Sequence, residues 1–408
     1  MSKLFKTSLC ACLSLAASEL ALAQADGFTV KVGGRLHIEY TAADFDGPDG
    51  DDALEQSSLD GTEIRRARIK ASGNINENAK YKLEFNTSTG GSVDIEDAYI
   101  QYTLPGTYVG DSKWKVKLGH FKTQNSLEED ASSNTNHTIE RAAFTDAFGL
   151  NRRAGIELAT VGKNYTFKAG AFTTNVNSDN SLQEGRAFAA RATFTPINTD
   201  ENLVHLGASW RYRDQPGDEL ADIDQGPFTA FPSGDIVQTG DFIENDHFYG
   251  FEIAAIHKNK LWAFGEYAIL DANGGAELDD DGAIVTQFED ATLDAFSAEI
   301  GYIVGGKQGY KGGKFSRTKV DNAVGEGGWG AFSVVARYDH LDLSEAPPEF
   351  AGTDTAGELD TFVVGANWWM TNYSRIAVNY FNVDADNNGL SPFGDSGEGI
   401  VTRLQLDF

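Results

Sequence analysis

The residues Ile400-Val401-Thr402-Arg403-Leu404-Gln405-Leu406-Asp407-Phe408 fall into two alternating sets. Ile400, Thr402, Leu404, Leu406 and Phe408 share one parity, and Val401, Arg403, Gln405 and Asp407 share the other. A strand points alternate side chains to opposite faces, so this one has an apolar face and a largely polar or charged one. Such a strand suits the closing position of an outer-membrane barrel, with lipid on one side and a wet lumen on the other. The edge of a soluble sandwich would also carry it. Repetition along the chain decides between the two.

The pattern repeats. Val32, Leu36, Ile38 and Tyr40 oppose Arg35, His37 and Glu39; Ala67, Ile69 and Ala71 oppose Arg66, Arg68 and Lys70. Ala98, Ile100 and Tyr102 oppose Asp97, Tyr99 and Gln101, and Phe332, Val334, Ala336 and Tyr338 oppose Arg337. Sixteen such segments follow one another, an even number as single-chain bacterial barrels have. Only 261–270 has mixed parity. The predicted fold is therefore all-β: a transmembrane antiparallel β-barrel of sixteen strands. No apolar run after residue 23 approaches the roughly 18 residues of a membrane helix. A mean hydropathy of −0.35 taken alone reads as a soluble chain, but lumen-facing polar residues dilute every strand of a barrel, so that value does not decide against one.

Lys3 and Lys6, the apolar run Leu9–Ala17 and Ala21-Leu22-Ala23 read as a signal peptide over 1–23, leaving 24–408 as one barrel domain. Cleavage there removes Cys10 and Cys12, so the mature chain is expected to carry no disulfide. The expected location is the Gram-negative outer membrane.

If the closing strand ends at the periplasm, connections after odd-numbered strands face outward. Those are long: 41–63, 122–152, 213–247, 271–294, 340–360 and 383–399. The inward connections are short turns except 305–329, and a long connection of that kind is usually functional. It carries Lys307, Lys311, Lys314, Arg317 and Lys319 without an acid from Ile300 to Val320, and its glycines would let it fold into the barrel. The segment 122–152 is the expected inward-folded constriction loop. It begins at Lys122, ends at Arg152 and Arg153, and contains Glu128, Glu129, Asp130 and Glu140.

The net charge of −28 argues against a nucleic-acid partner. Its distribution is more telling. The loops 41–63 and 271–294 are crowded with carboxylates, which suit a solvated surface bridged by divalent cations to lipopolysaccharide. On the lumen parity, bases including Arg35, Arg66, Arg68, Lys82, Lys117, Arg191, Arg337, Arg375 and Arg403 outnumber acids. Arg and Lys rings make anion pores, and a low-dielectric wall focuses their field. No histidine has the spacing of a nucleophile motif, so no enzyme is expected, although an adhesin would also use the acidic loops. Asp384-x-Asp386-x-Asn388-Gly389, with Asp395 in the twelfth place, follows calcium-loop spacing without the usual final Glu or flanking helices. Calcium at an outer loop is thus the one candidate cofactor.

Gly34-Arg35-Leu36, Ile64-Arg65-Arg66-Ala67-Arg68, Asp97-Ala98-Tyr99-Ile100-Gln101-Tyr102, Gly119-His120-Phe121-Lys122, Glu140-Arg141-Ala142, Arg152-Arg153-Ala154-Gly155 and Arg403-Leu404-Gln405-Leu406-Asp407-Phe408 resemble, in order, the phosphate-selective porins O and P. The resemblance implies a homotrimeric sixteen-stranded porin with inward-folded outer loops and a basic inward-folded periplasmic segment. It implies a central anion site of Arg35, Arg66, Asp97 and Lys122 with Arg65 beside it, and a lysine cluster that includes Lys311 and Lys314. Arg141, Arg152 and Arg153 join them as candidate pore residues. The family's outer arginine ladder is missing: 213–247 holds Arg213 alone among many acids. Passive passage of small anions, phosphate or polyphosphate among them, is the expected function; a general or weakly cation-selective porin is the alternative.

Overall fold

In the computed structural model the described residues are 27–47, 58–87, 92–177, 185–216, 219–231, 234–279, 282–347, 356–387 and 391–408. The expected leader, 1–23, lies outside them. Sixteen strands form one closed antiparallel barrel. The first eight are β1 (Lys31–Phe45), β2 (Ser58–Asn74), β3 (Ala79–Thr87), β4 (Val93–Val109), β5 (Ser112–Lys122), β6 (Arg152–Val161), β7 (Tyr165–Phe172) and β8 (Arg186–Asn198). The second eight are β9 (Leu203–Asp214), β10 (Ile243–His257), β11 (Leu261–Gly274), β12 (Ala291–Val304), β13 (Ala331–Asp342), β14 (Glu358–Trp369), β15 (Ser374–Asp386) and β16 (Ser396–Asp407).

Closure is made by β1 and β16, in register from Arg35 opposite Asp407 to Phe45 opposite Gly397. Phe408 completes the seam by exchanging backbone hydrogen bonds with Gly34 (2.9 and 3.1 Å). A Cβ on Gly34 would stand 2.4 Å from the Arg68 carbonyl and 2.6 Å from the Phe408 ring, so the close approach needs glycine there. The alternation expected of Ile400–Phe408 is present: Leu404 and Leu406 face outward, while Arg403, Gln405 and Asp407 are buried inward. Val32, Leu118, Ile300 and Val334 likewise line the outer face. With every ladder closed, no strand edge meets lipid.

Connections at one end are short, such as 162–164, 199–202 and 258–260, and 305–330 is the exception there. It forms a hairpin, Gly306–Tyr310 paired with Phe315–Val320, that folds into the lumen and buries Phe315. From the other end, 123–151 also turns inward, carrying the short helices α1 (Leu127–Asp130) and α2 (Ala143–Ala147). A third insertion, around the pairing of Asp224–Gln225 with Val237–Gln238, buries Ile223, Phe228 and Ile236 against Phe248 and Phe381. The apolar core thus lies inside the barrel, between inserted loops and wall. That explains the mixed parity of β11: its inward Trp262 and Phe264 pack with Leu127 and Phe315 rather than facing water.

The calcium pattern does not have loop geometry at its start. Asp384 and Asp386 are extended within β15, opposite Asp360 and Glu358 of β14. Asn388 lies outside the described residues, and the Asp395 carbonyl accepts from the Ala385 N–H at 2.6 Å. An ion needs ligands wrapped around it, whereas a strand lays them in a row.

Candidate functional site

Two β-bulges aim charged pairs at the lumen. His37 pairs with Arg66 while Ile38 pairs with Ile64, which leaves Arg65 as the extra residue on β2. Leu83 pairs with Ala98 while Phe85 pairs with Ile95, so Glu84 faces both Glu96 and Asp97. A bulge re-aims a side chain that strict alternation would send to lipid. Arg65 with Arg66, and Glu96 with Asp97, therefore all reach the interior.

The backbone of the constriction loop is held most heavily by β11, β13, β15 and β16. Glu266 of β11 accepts from the free N–H groups that open α1, those of Leu127 (2.7 Å) and Glu128 (3.1 Å). Arg337 donates to the carbonyls of Glu140 (2.8 Å) and Arg141 (2.9 Å), Arg375 to that of Asn136 (2.6 Å), and Arg403 to that of Ile139 (2.7 Å). This narrows the expectation that the bases of the lumen parity, Arg337, Arg375 and Arg403 among them, line the anion path. The arginines of β13, β15 and β16 hold loop backbone and do not line the inner cavity among the described residues. Arg211 has a similar task, donating to the carbonyls of Phe148 and Gly149 and pairing with Asp246 at 2.8 Å.

An open space lies between the loop and β1–β6. This inner cavity, of about 360 Å³, is lined by ten Lys or Arg side chains and three carboxylates. It gathers Arg35, Arg66, Asp97, Lys122, Arg141, Arg152 and Lys314 from the expected set, together with Arg68, Lys82 and Lys117. Asp97 is bridged by Lys82 (2.6 Å) and Arg152 (3.1 Å). Lys122 and Arg141 share Glu129, at 2.8 and 3.0 Å. Lys314, from the inserted hairpin, meets Asp130 of α1 at 2.8 Å. Lys168 and Arg191 reach the same carboxylate at 2.7 and 2.9 Å. Burial alone would raise the Asp130 pKa, but these three cations hold it well below the usual carboxylate range.

In most of these pairs the cation is the more exposed partner. Lys314 is 34% exposed against 1% for Asp130, and Lys82 is 23% against 1% for Glu84. The carboxylates are thus the more deeply buried members, and the basic side chains offer more surface to the cavity. Arg66 Nη1 is buried with no hydrogen-bond partner among the described residues.

A second cavity, of about 260 Å³, lies on the outer side and shares Arg141 with the first. Its charges are reversed: Arg65 and Arg141 against Glu140, Asp146, Asp224 and Asp339. Arg65 belongs here, bound to Glu140 at 3.0 Å. Two candidates fall outside both cavities. Arg153 donates to the Thr173 carbonyl at 3.3 Å, and Lys311 is exposed at the hairpin tip. Strand parity did not predict Glu96, which pairs with Arg152 at 2.6 Å beside the inner cavity; its signal is two adjacent acids within an otherwise alternating strand.

Residues 30–408 match the family described as phosphate-selective porin O and P. Porin O of Pseudomonas aeruginosa is 26% identical over 93% of this chain and 89% of its own length. Among solved structures, an anion-selective porin from Comamonas acidovorans superposes with a TM-score of 0.56 at 10% identity, covering 93% of this chain and all of that one. In-vitro folded OmpT of Vibrio cholerae, in its trimer form, gives 0.53 at 12% identity over 94% of this chain and all of that one. The protein is an integral β-barrel of the Gram-negative outer membrane, with the fold of a diffusion channel. A match that runs from β1 through the closing strand places the chain in the phosphate-selective porin O and P family.

Proposed function

We propose that the channel passes small anions by passive diffusion, phosphate among them, and that the inner cavity sets the preference. The observation that carries this reading is the uneven burial of its ion pairs, whose basic side chains offer more surface to the cavity than their carboxylates do. An arginine fork can replace water around phosphate oxygens, and Arg66 Nη1 has no hydrogen-bond partner among the described residues. Lysines act as mobile point charges that let the ion leave, which conduction requires. The basic side chains Lys31, Lys80 and Lys82 line the periplasmic mouth and extend the same field. The test is chloride current through single channels in a planar bilayer, titrated with phosphate. Phosphate should lower the current in a saturable way, and Arg66→Ala should shift the half-effect to higher concentration. Current indifferent to phosphate removes phosphate from the reading.

A weakly cation-selective porin is the second reading, motivated by the acidic outer cavity. The apolar belt is proposed to sit in lipid, with the acidic loops against lipopolysaccharide. The trimer form of the Vibrio cholerae relative in fold supports a homotrimer here too, which light scattering of the detergent-solubilised protein would test.

A further inference from the structure

We infer that the channel favours small zwitterions arriving from the outer side: solutes with an ammonium group for the outer cavity and an anionic group for the inner one. This rests on the anion reading of the inner cavity and extends it. The two chambers adjoin at Arg141, and the fixed charge changes sign between them. Asp146 is exposed on α2 and Asp224 on the inserted outer loop, both lining the outer chamber. Asp339 of β13 lines it as well; it is buried, and its Oδ1 has no hydrogen-bond partner among the described residues. Glu140 is already committed, to Arg65 at 3.0 Å and Arg403 at 2.7 Å. Asp339 Oδ2 already holds Arg337 at 2.9 Å, so the acceptors left for an ammonium group are the two exposed carboxylates, Asp146 and Asp224, and the Asp339 Oδ1 atom. On the inner side the matching donor is Arg66 Nη1, which has no hydrogen-bond partner among the described residues. A simple anion from outside meets the repulsive chamber first, and a simple cation is turned back at the second. A dipolar solute satisfies both.

The test uses three probes of similar size whose charges do not depend on neutral pH: 2-aminoethanesulfonate, ethanesulfonate and ethyltrimethylammonium. Each is added to the outer or the periplasmic side of single channels carrying potassium chloride current, and the concentration that halves the current is measured. From the outer side, 2-aminoethanesulfonate should act at roughly threefold to tenfold lower concentration than ethanesulfonate at low salt. From the periplasmic side the order should narrow or reverse. Asp146→Asn with Asp224→Asn should abolish the outer-side advantage, and Asp146→Asn alone should reduce it. Equal potency of the two sulfonates from outside, or an advantage that survives the double substitution, overturns the inference. Ethanesulfonate without effect from either side would instead overturn the anion reading beneath it.

Discussion

Asp130 shows how one carboxylate organises this pore. Lys168, Arg191 and Lys314 come from β7, β8 and the periplasmic hairpin, and all meet on it. Removing one partner of a buried charge cluster leaves the others uncompensated, at a cost of about 3–5 kcal/mol. Asp130→Asn should therefore lower thermal stability in detergent and loosen the hairpin, seen as increased protease cleavage between Gly306 and Val320. Glu140 has a different role. It neutralises Arg65, Arg66 and Arg403 at the junction of the two cavities. Glu140→Gln should raise the anion-to-cation permeability ratio roughly twofold to threefold at low salt. These pairings span residues far apart in sequence, so parity cannot show them. The inward aim of Arg35, Asp97 and Lys82 was legible because each keeps step with its strand. Glu96 was not, because a bulge breaks the step that parity counts.

Among the elements, the strands were the most legible part and their interior partners the least. Every alternating segment from 30–40 to 400–408 is a barrel strand, since lipid on one side imposes period two. Residues 261–270 resisted because the inserted loops make the inner face of β11 apolar. Arg337, Arg375 and Arg403 look in sequence like Arg35 and Arg66, yet the loop covers them. Their exposure depends on where 123–151 lies, which no local pattern encodes. The two groups should separate by experiment. Arg375→Ala, which frees the Asn136 carbonyl, should increase current noise and leave ion preference nearly unchanged. Arg66→Ala should reduce the preference without added noise. Matching effects from the two would contradict the division of the wall.

The whole molecule depends on a closed seam and on the order of its charges. Gly34→Val would drive a side chain into the Arg68 carbonyl and the Phe408 ring. It should prevent the folded, heat-modifiable species on detergent gels. The outer chamber should respond to pH. Partial desolvation of this exposed side chain among its loop neighbours, reinforced by the charges of Asp235 and Asp222, raises the Asp224 pKa to about 6. A raised carboxylate pKa means that negative charge is lost on acidification through that value, so anion preference should increase from about pH 7.5 to about pH 5. Asp224→Asn should flatten that change. The central claim is that basic side chains offer more surface than their carboxylates along the inner cavity. The zero-current potential across a planar bilayer under a potassium chloride gradient tests it most directly. The account predicts that the dilute side becomes negative, as chloride crosses faster than potassium; a dilute side that becomes positive would contradict it.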